Sequence, residues 1–176
     1  MPISLGMKVI GIDPGAKYTG VSVRDLNENI ILLSSTYVRP EEIPIVTWAV
    51  TLTEIIKNEV IANYPDAKIG IEGISDPKGY SNGKKSPINP KHIIRAGIVL
   101  GALAAAFPNA VIVPPGHNGT SRTGYPAELN GRRPKTLPGQ AKNAGTRAHE
   151  KSAYDVAGDV PFRIANNYKL DTPNNI

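Results

Sequence analysis

The chain has 176 residues, the size of one ordinary domain, and its 20 Lys and Arg against 15 Asp and Glu give a formal net charge of +5. It contains no cysteine, which excludes a disulfide framework and thiolate zinc sites and suits a reducing compartment. No apolar run approaches the ~18 residues needed to span a bilayer, and Met1–Gly6 lacks the basic and apolar regions of a secretory signal, so a membrane role is not expected.

From the N-terminus, Met7–Ile12 is an apolar run bounded by Gly and Pro, and it reads as a buried strand. Asp13 closes it, just before Pro14 and Gly15. A buried carboxylate is costly unless a cation or hydrogen bonds satisfy it. Asp13 therefore reads either as a metal ligand or as an ordinary turn-forming residue. Gly11 and Gly15 read as positions that let ions and a phosphate approach the backbone closely. Tyr18–Arg24 and Ile30–Val38 are two further strands, joined by turns short enough for an antiparallel meander and too short for parallel crossovers. Ile43–Asn63 carries Val46, Ala49, Val50, Ile55, Ile56, Val60 and Ile61 at helical spacing. Lys68–Glu72 is a fourth strand, free to run parallel to the first because a helix crosses over between them.

Gly73–Pro90 is a polar loop with Lys78, Tyr80, Lys84 and Lys85. Pro90 stands at a helix start, where its missing N–H does no harm, and Lys91–Phe107 is a helix with a stripe of small residues, among them Gly97, Gly101 and Ala105. Those small residues suit close packing on the sheet or against a second copy of the chain. Ala110–Val113 is a fifth short strand. Pro114–Thr146 has no periodicity and is long for a loop in a compact domain, which points to function or disorder. From Arg122 to Lys151 there are seven Lys or Arg and two acids, Glu128 and Glu150, either the footprint of a polyanionic partner or a solvated basic loop. Arg147 to about Asn167 returns to helical spacing, with Pro161 expected to kink or interrupt it. The predicted architecture is α/β: a mixed five-stranded sheet flanked by helices, residues 1–176 in one domain with a polar tail from about residue 169.

In that order of elements the first and fourth strands end in Asp13 and Glu72. If the two run parallel and adjacent, both carboxylates reach the sheet edge where open α/β folds build their sites, and two like charges at short range call for a cation. Asp155, among the small and apolar residues of the last helix, is a third candidate, unless it faces solvent. Asp13, Glu72 and Asp155 would make a set of oxygen ligands suited to Mg²⁺ or Mn²⁺. Two such ions about 4 Å apart activate a water and stabilise the leaving oxygen of a phosphodiester.

Asp13 in Gly-Ile-Asp-Pro-Gly, Glu72 in Ile-Gly-Ile-Glu-Gly and Asp155 in Ser-Ala-Tyr-Asp-Val-Ala resemble the acidic motifs of the RuvC Holliday-junction resolvases, of the ribonuclease H-like superfamily, in a phage or actinobacterial form. The resemblance runs from about Lys8 to Phe162. It implies a ribonuclease H-like fold and a homodimeric, Mg²⁺-dependent endonuclease acting on four-way DNA, in the cytoplasm of a bacterium or a phage-infected host. Asp13, Glu72 and Asp155 would hold the metals without a covalent intermediate and without a nucleotide cofactor. One position departs from the pattern: the family places an Asp or His one turn before the last acid, and here Ser152 stands there, so that either its neutral hydroxyl binds the metal through water or another group takes the role of fourth ligand. His149 is the obvious substitute for that fourth ligand, yet it lies about 120° around a regular helix from Asp155 and would reach the site only if the helix began after it.

Phosphate contacts would come from Lys78, Lys84 and Lys85, with Tyr80 as an aromatic companion that stacks on an unpaired base. Arg132, Arg133 and Lys135 form the densest basic cluster and are expected along a DNA arm. Lys151, one turn before Asp155, faces the scissile phosphate in the same reading. Two other classes compete. Asp13 to Gly20 also resembles the phosphate loop of actin-like ATPases and sugar kinases, which need a second lobe. Ser152 in place of an acid also fits a junction-binding module with weak catalysis.

Overall fold

The computed structural model describes residues 6–74, 89–116, 124–131 and 147–166, with the backbone of 80–81 and 84–85. Strands β1 (Lys8–Asp13), β2 (Tyr18–Asp25), β3 (Ile30–Val38), β4 (Lys68–Glu72) and β7 (Val111–Val113) form one sheet, ordered β3-β2-β1-β4-β7. β1, β2 and β3 pair antiparallel, while β4 lies parallel to β1 and β7 parallel to β4. This is the mixed five-stranded sheet expected from the short early turns and the later helical crossovers. Helix α1 (Ile45–Glu59) supplies the first crossover, α2 (Pro90–Ala106) the second, and α3 (Ala148–Ala165) closes the chain. No helix among the described residues is long and apolar enough to cross a membrane.

Local chemistry explains the boundaries. Pro44 precedes the first residue of α1, and a short 3₁₀ turn at Ile61–Asn63 ends the crossover in place of the last helical turn expected there. Asn89 caps α2, its side chain accepting from the Lys91 backbone N–H at 3.0 Å, with Pro90 at the first helical position. Within the stretch expected to be loop, Tyr80–Ser81 (β5) pairs antiparallel with Lys84–Lys85 (β6). Pro161 does not interrupt α3, which runs on to Ala165.

The two faces of the sheet are built differently. On one, Ile10, Ile12, Val21, Val23 and Ile71 meet Trp48, Leu52 and Ile56 of α1 and Val99 and Leu103 of α2, nearly all of them fully buried. Each such aliphatic side chain contributes about 1.5–3 kcal/mol when withdrawn from water. On the other face lie small or polar residues, among them Gly11, Gly20, Ser22, Ser34, Thr36 and Gly70, while Val9 and Val113 pack there on Val156, Ala157 and Val160 of α3. α3 packs there. A Cβ at Gly11 would sit 1.9 Å from the Ala153 carbonyl oxygen, and one at Gly20 would sit 2.1 Å from that of His149. These glycines let helix backbone touch strand backbone. The role expected for Gly11, close approach of ions and phosphate, is therefore corrected: its open space belongs to α3. At Gly15 a Cβ would meet the Tyr18 carbonyl at 2.1 Å, so that glycine closes the β1–β2 turn.

Candidate active site

Alternation along the strands decides where the acids point. Successive residues face opposite sides of a sheet, so Asp13 shares the α3 face with Gly11, and Glu72 shares it with Gly70. Ile12 pairs with Ile71 in the parallel β1–β4 register, and the next step on each strand is Asp13 and Glu72. The two carboxylates therefore stand side by side at the C-terminal edge of the sheet, beneath the first turns of α3.

Each is held by named partners. Ser152, itself buried, donates to Glu72 Oε2 at 2.9 Å, and the Gly116 backbone N–H donates to Oε1 at 3.1 Å. His149 Nδ1 lies 2.9 Å from Asp13 Oδ2, and because a carboxylate only accepts, that nitrogen carries the proton. The Tyr18 ring flanks His149 with centroids 5.6 Å apart. Burial, followed by the charge and proximity of Asp13, pushes the Glu72 carboxyl up to about 7, against the opposing hydrogen bonds from Ser152 and Gly116. Burial alone would lower the His149 pKa, but the hydrogen bond to Asp13 and the charges of Asp13 and Glu72 outweigh it and raise it above the usual histidine value.

Three side chains of α3 stand in a row, and the first two meet the acid pair. His149, Ser152 and Asp155 are spaced by three, so each is rotated by about 60° from the one before, and the row slants across the helix. His149 meets Asp13, Ser152 meets Glu72, and Asp155 accepts a hydrogen bond from the Tyr125 hydroxyl at 2.5 Å. The slant also explains how His149 reaches Asp13 although α3 begins before it, at Ala148. The expected condition, that the helix start after His149, does not hold. Lys151 places its Nζ 5.1 Å from the centre of the Tyr125 ring.

Glu150 and Tyr125 went unrecognised in the sequence. Glu150 is fully buried and accepts from Thr36 Oγ1 at 3.0 Å and from Ser34 Oγ, tying the first turn of α3 to the edge strand β3. Its signal was available in the hydroxyl-rich Ser34-Ser35-Thr36 run of β3. Tyr125 lies in the stretch without periodicity, where no pattern marks it. Of the expected DNA contacts, Lys78, Arg132, Arg133 and Lys135 fall outside the described residues, as do the side chains of Tyr80, Lys84 and Lys85.

The donors suit a hard cation. Asp13 and Glu72 offer carboxylate oxygens side by side, and close like charges favour a cation between them. Among the described residues, however, no three His, Cys, Asp or Glu side chains lie close enough to hold a metal ion together.

No protein-family model matches the chain, and no curated protein matches it in sequence. Solved structures do match. A Thermus thermophilus RuvC structure is 16% identical, with a TM-score of 0.55 over 92% of this chain and 97% of that one. T. thermophilus RuvC in complex with Holliday junction substrate is 14% identical, with a TM-score of 0.55 over 91% of this chain and 96% of that one. The chain has a RuvC-like, ribonuclease H-like α/β fold.

Proposed function

We propose that the protein is a metal-dependent endonuclease that cuts branched DNA, with the four-way junction as its substrate. The observation that carries this reading is the pairing of Asp13 with Glu72 at the C-terminal sheet edge beneath α3, inside a RuvC-like fold. Asp13, Glu72 and Asp155 would hold Mg²⁺ or Mn²⁺, which when bound supplies an activated water and charge stabilisation for phosphodiester cleavage. Asp155 belongs with the pair because it follows Ser152 by one helical turn, and Ser152 already touches Glu72. Ser152 orients Glu72 as a neutral donor, and His149 orients Asp13 and balances its charge while no metal is bound.

The basic loops serve the substrate. Lys78, Lys84, Lys85, Arg132, Arg133 and Lys135 would contact phosphates, which gives affinity without sequence readout. Tyr80, whose backbone pairs with that of Lys85 in the small hairpin, would stack on an exposed base, and Lys151 would meet the phosphate nearest Asp155. A second copy of the chain would dock on the outer face of α2, where Ile94 is 65% exposed and Gly101 has open space around it. Two copies would present two cutting sites to opposed strands. The polyanion-binding charge and the fold of a nuclease favour this reading over an actin-like ATPase or a junction-binding module without catalysis.

The test is a synthetic four-way junction incubated with the protein and Mg²⁺, beside a linear duplex of the same sequence. Paired nicks in the junction alone are expected. ATP hydrolysis without nicking, or a gel shift without nicking in either Mg²⁺ or Mn²⁺, would refute the proposal.

A further inference from the structure

We propose that Lys17 is a phosphate contact for the DNA strand that passes beside Asp13, and that Glu41 shields this lysine until the DNA backbone displaces it. The inference rests on the DNA-cutting reading above. Lys17 stands four residues after Asp13, in the turn that joins β1 to β2. Its Nζ is 5.7 Å from the centre of the Tyr18 ring, and that ring flanks His149, the partner of Asp13. One short run of contacts thus connects the ammonium to the acid pair.

Two carboxylates at a sheet edge repel an approaching phosphate, and a cation at their rim offsets that repulsion. Lys17 is such a cation, but in the free protein it is occupied, its Nζ lying 3.2 Å from Glu41 Oε1. Braced backbone brings the two together, with Arg39 as the strut. The Arg39 backbone N–H donates to the Lys17 carbonyl at 2.8 Å, its Nε to the Ala16 carbonyl at 3.2 Å and its Nη1 to the Ile43 carbonyl at 2.5 Å. The Ile43 N–H donates to the Pro40 carbonyl at 3.2 Å, closing the turn that carries Glu41. The turn bearing the lysine and the turn bearing the acid are therefore fixed against each other.

The pair itself does little for the fold. The Glu41 side chain is 86% exposed and that of Lys17 41% exposed, and ion pairs so open to solvent add little stability. The carboxylate can swing into water at small cost, and a phosphodiester oxygen can take its place on the same ammonium. A lysine suits this exchange, because it meets a phosphate as a point charge without a fixed fork geometry.

The test is fluorescence anisotropy of the full chain with a labelled four-way junction, in EDTA so that nothing is cut, over a range of NaCl concentrations. K17M, which keeps the aliphatic stem, should bind about threefold or more weakly and reduce the slope of log affinity against log salt by about one. K17R, which keeps the charge, should restore the slope. E41Q should bind about two- to fivefold more tightly than wild type. The double variant K17M/E41Q should bind as K17M does, because Glu41 acts through Lys17. E28Q removes the same charge from the exposed β2–β3 turn at the far edge of the sheet and should leave the affinity unchanged. A wild-type slope in K17M, a K17R that binds like K17M, an E41Q gain that persists without Lys17, or an equal gain in E28Q would overturn the proposal while the nuclease reading stands. A wild type that neither binds the junction in EDTA nor cuts it in Mg²⁺ would instead remove the nuclease reading itself.

Discussion

Replacing Glu72 by Gln should stabilise the protein while abolishing its activity. Glu72 is 7% exposed, and its carboxyl is raised from 4.5 to about 7. The unfolded chain releases this proton near pH 4.5, whereas the folded chain holds it until about pH 7. The folded state therefore binds more protons in that window, and its stability falls as pH rises through it. At about 1.4 kcal/mol per unit, the ionised carboxylate costs the metal-free protein up to about 3 kcal/mol above pH 7. A Gln side chain is never charged and keeps an oxygen for the Gly116 N–H, so E72Q should gain about 1–3 kcal/mol at pH 8 in EDTA, or roughly 3–10 °C in Tm. At pH 5 the gain should shrink to under about 1 kcal/mol. Added Mg²⁺ should raise the wild-type Tm by mass action and leave that of E72Q nearly unchanged. Thermal unfolding followed by circular dichroism at the two pH values decides the matter. A destabilised E72Q at pH 8, or a gain that does not depend on pH, would refute the account of Glu72 as an under-compensated buried acid.

Three further outcomes follow from the site and its support. Asp13→Asn should reduce junction cleavage below detection while leaving the gel-shift midpoint within about threefold of wild type; cleavage by this variant would remove Asp13 from the metal site. Gly11→Ala forces a Cβ to within 1.9 Å of the Ala153 carbonyl and should lower stability by about 1–3 kcal/mol or more, and an unchanged urea midpoint would mean that α3 does not bear on β1 at that point. Lys84→Ala with Lys85→Ala should weaken junction binding and reduce the slope of log affinity against log salt by about two, whereas an unchanged slope would take both lysines off the phosphates.

The strands and helices were legible because burial writes a period into them. Lys68–Glu72 has the same bounds in sequence and structure, and the short turns after β1 and β2 left an antiparallel meander as the simplest arrangement. Alternation also carried Asp13 and Glu72 to one edge, since two parallel strands ending in acids leave few alternatives. The glycines were misread for a physical reason: a residue without a side chain marks a close approach but not what approaches. At Gly11 the visitor is a helix backbone. Reasoning from one helical position also failed for His149, because the site spans two strands and a slanting row of side chains covers more of it than a single face. Tyr125 was illegible because its contact joins an aperiodic segment to a helix, and no local pattern encodes that meeting.

The glycine-lined face beneath α3 bears on how this protein tolerates change. A scan of all single substitutions, scored by junction cleavage in cells, should rank Gly11 and Gly20 beside Asp13 and Glu72 as intolerant, although neither glycine touches substrate. An abundance readout would separate the two groups: acid variants accumulate as inert protein, and glycine variants are depleted because destabilised chains are degraded. The same contact leaves engineers little latitude. With helix carbonyls resting on strand backbone, the angle of His149 and Ser152 over Asp13 and Glu72 cannot be adjusted in small increments, so new binding preferences should be sought in the loops rather than beneath α3.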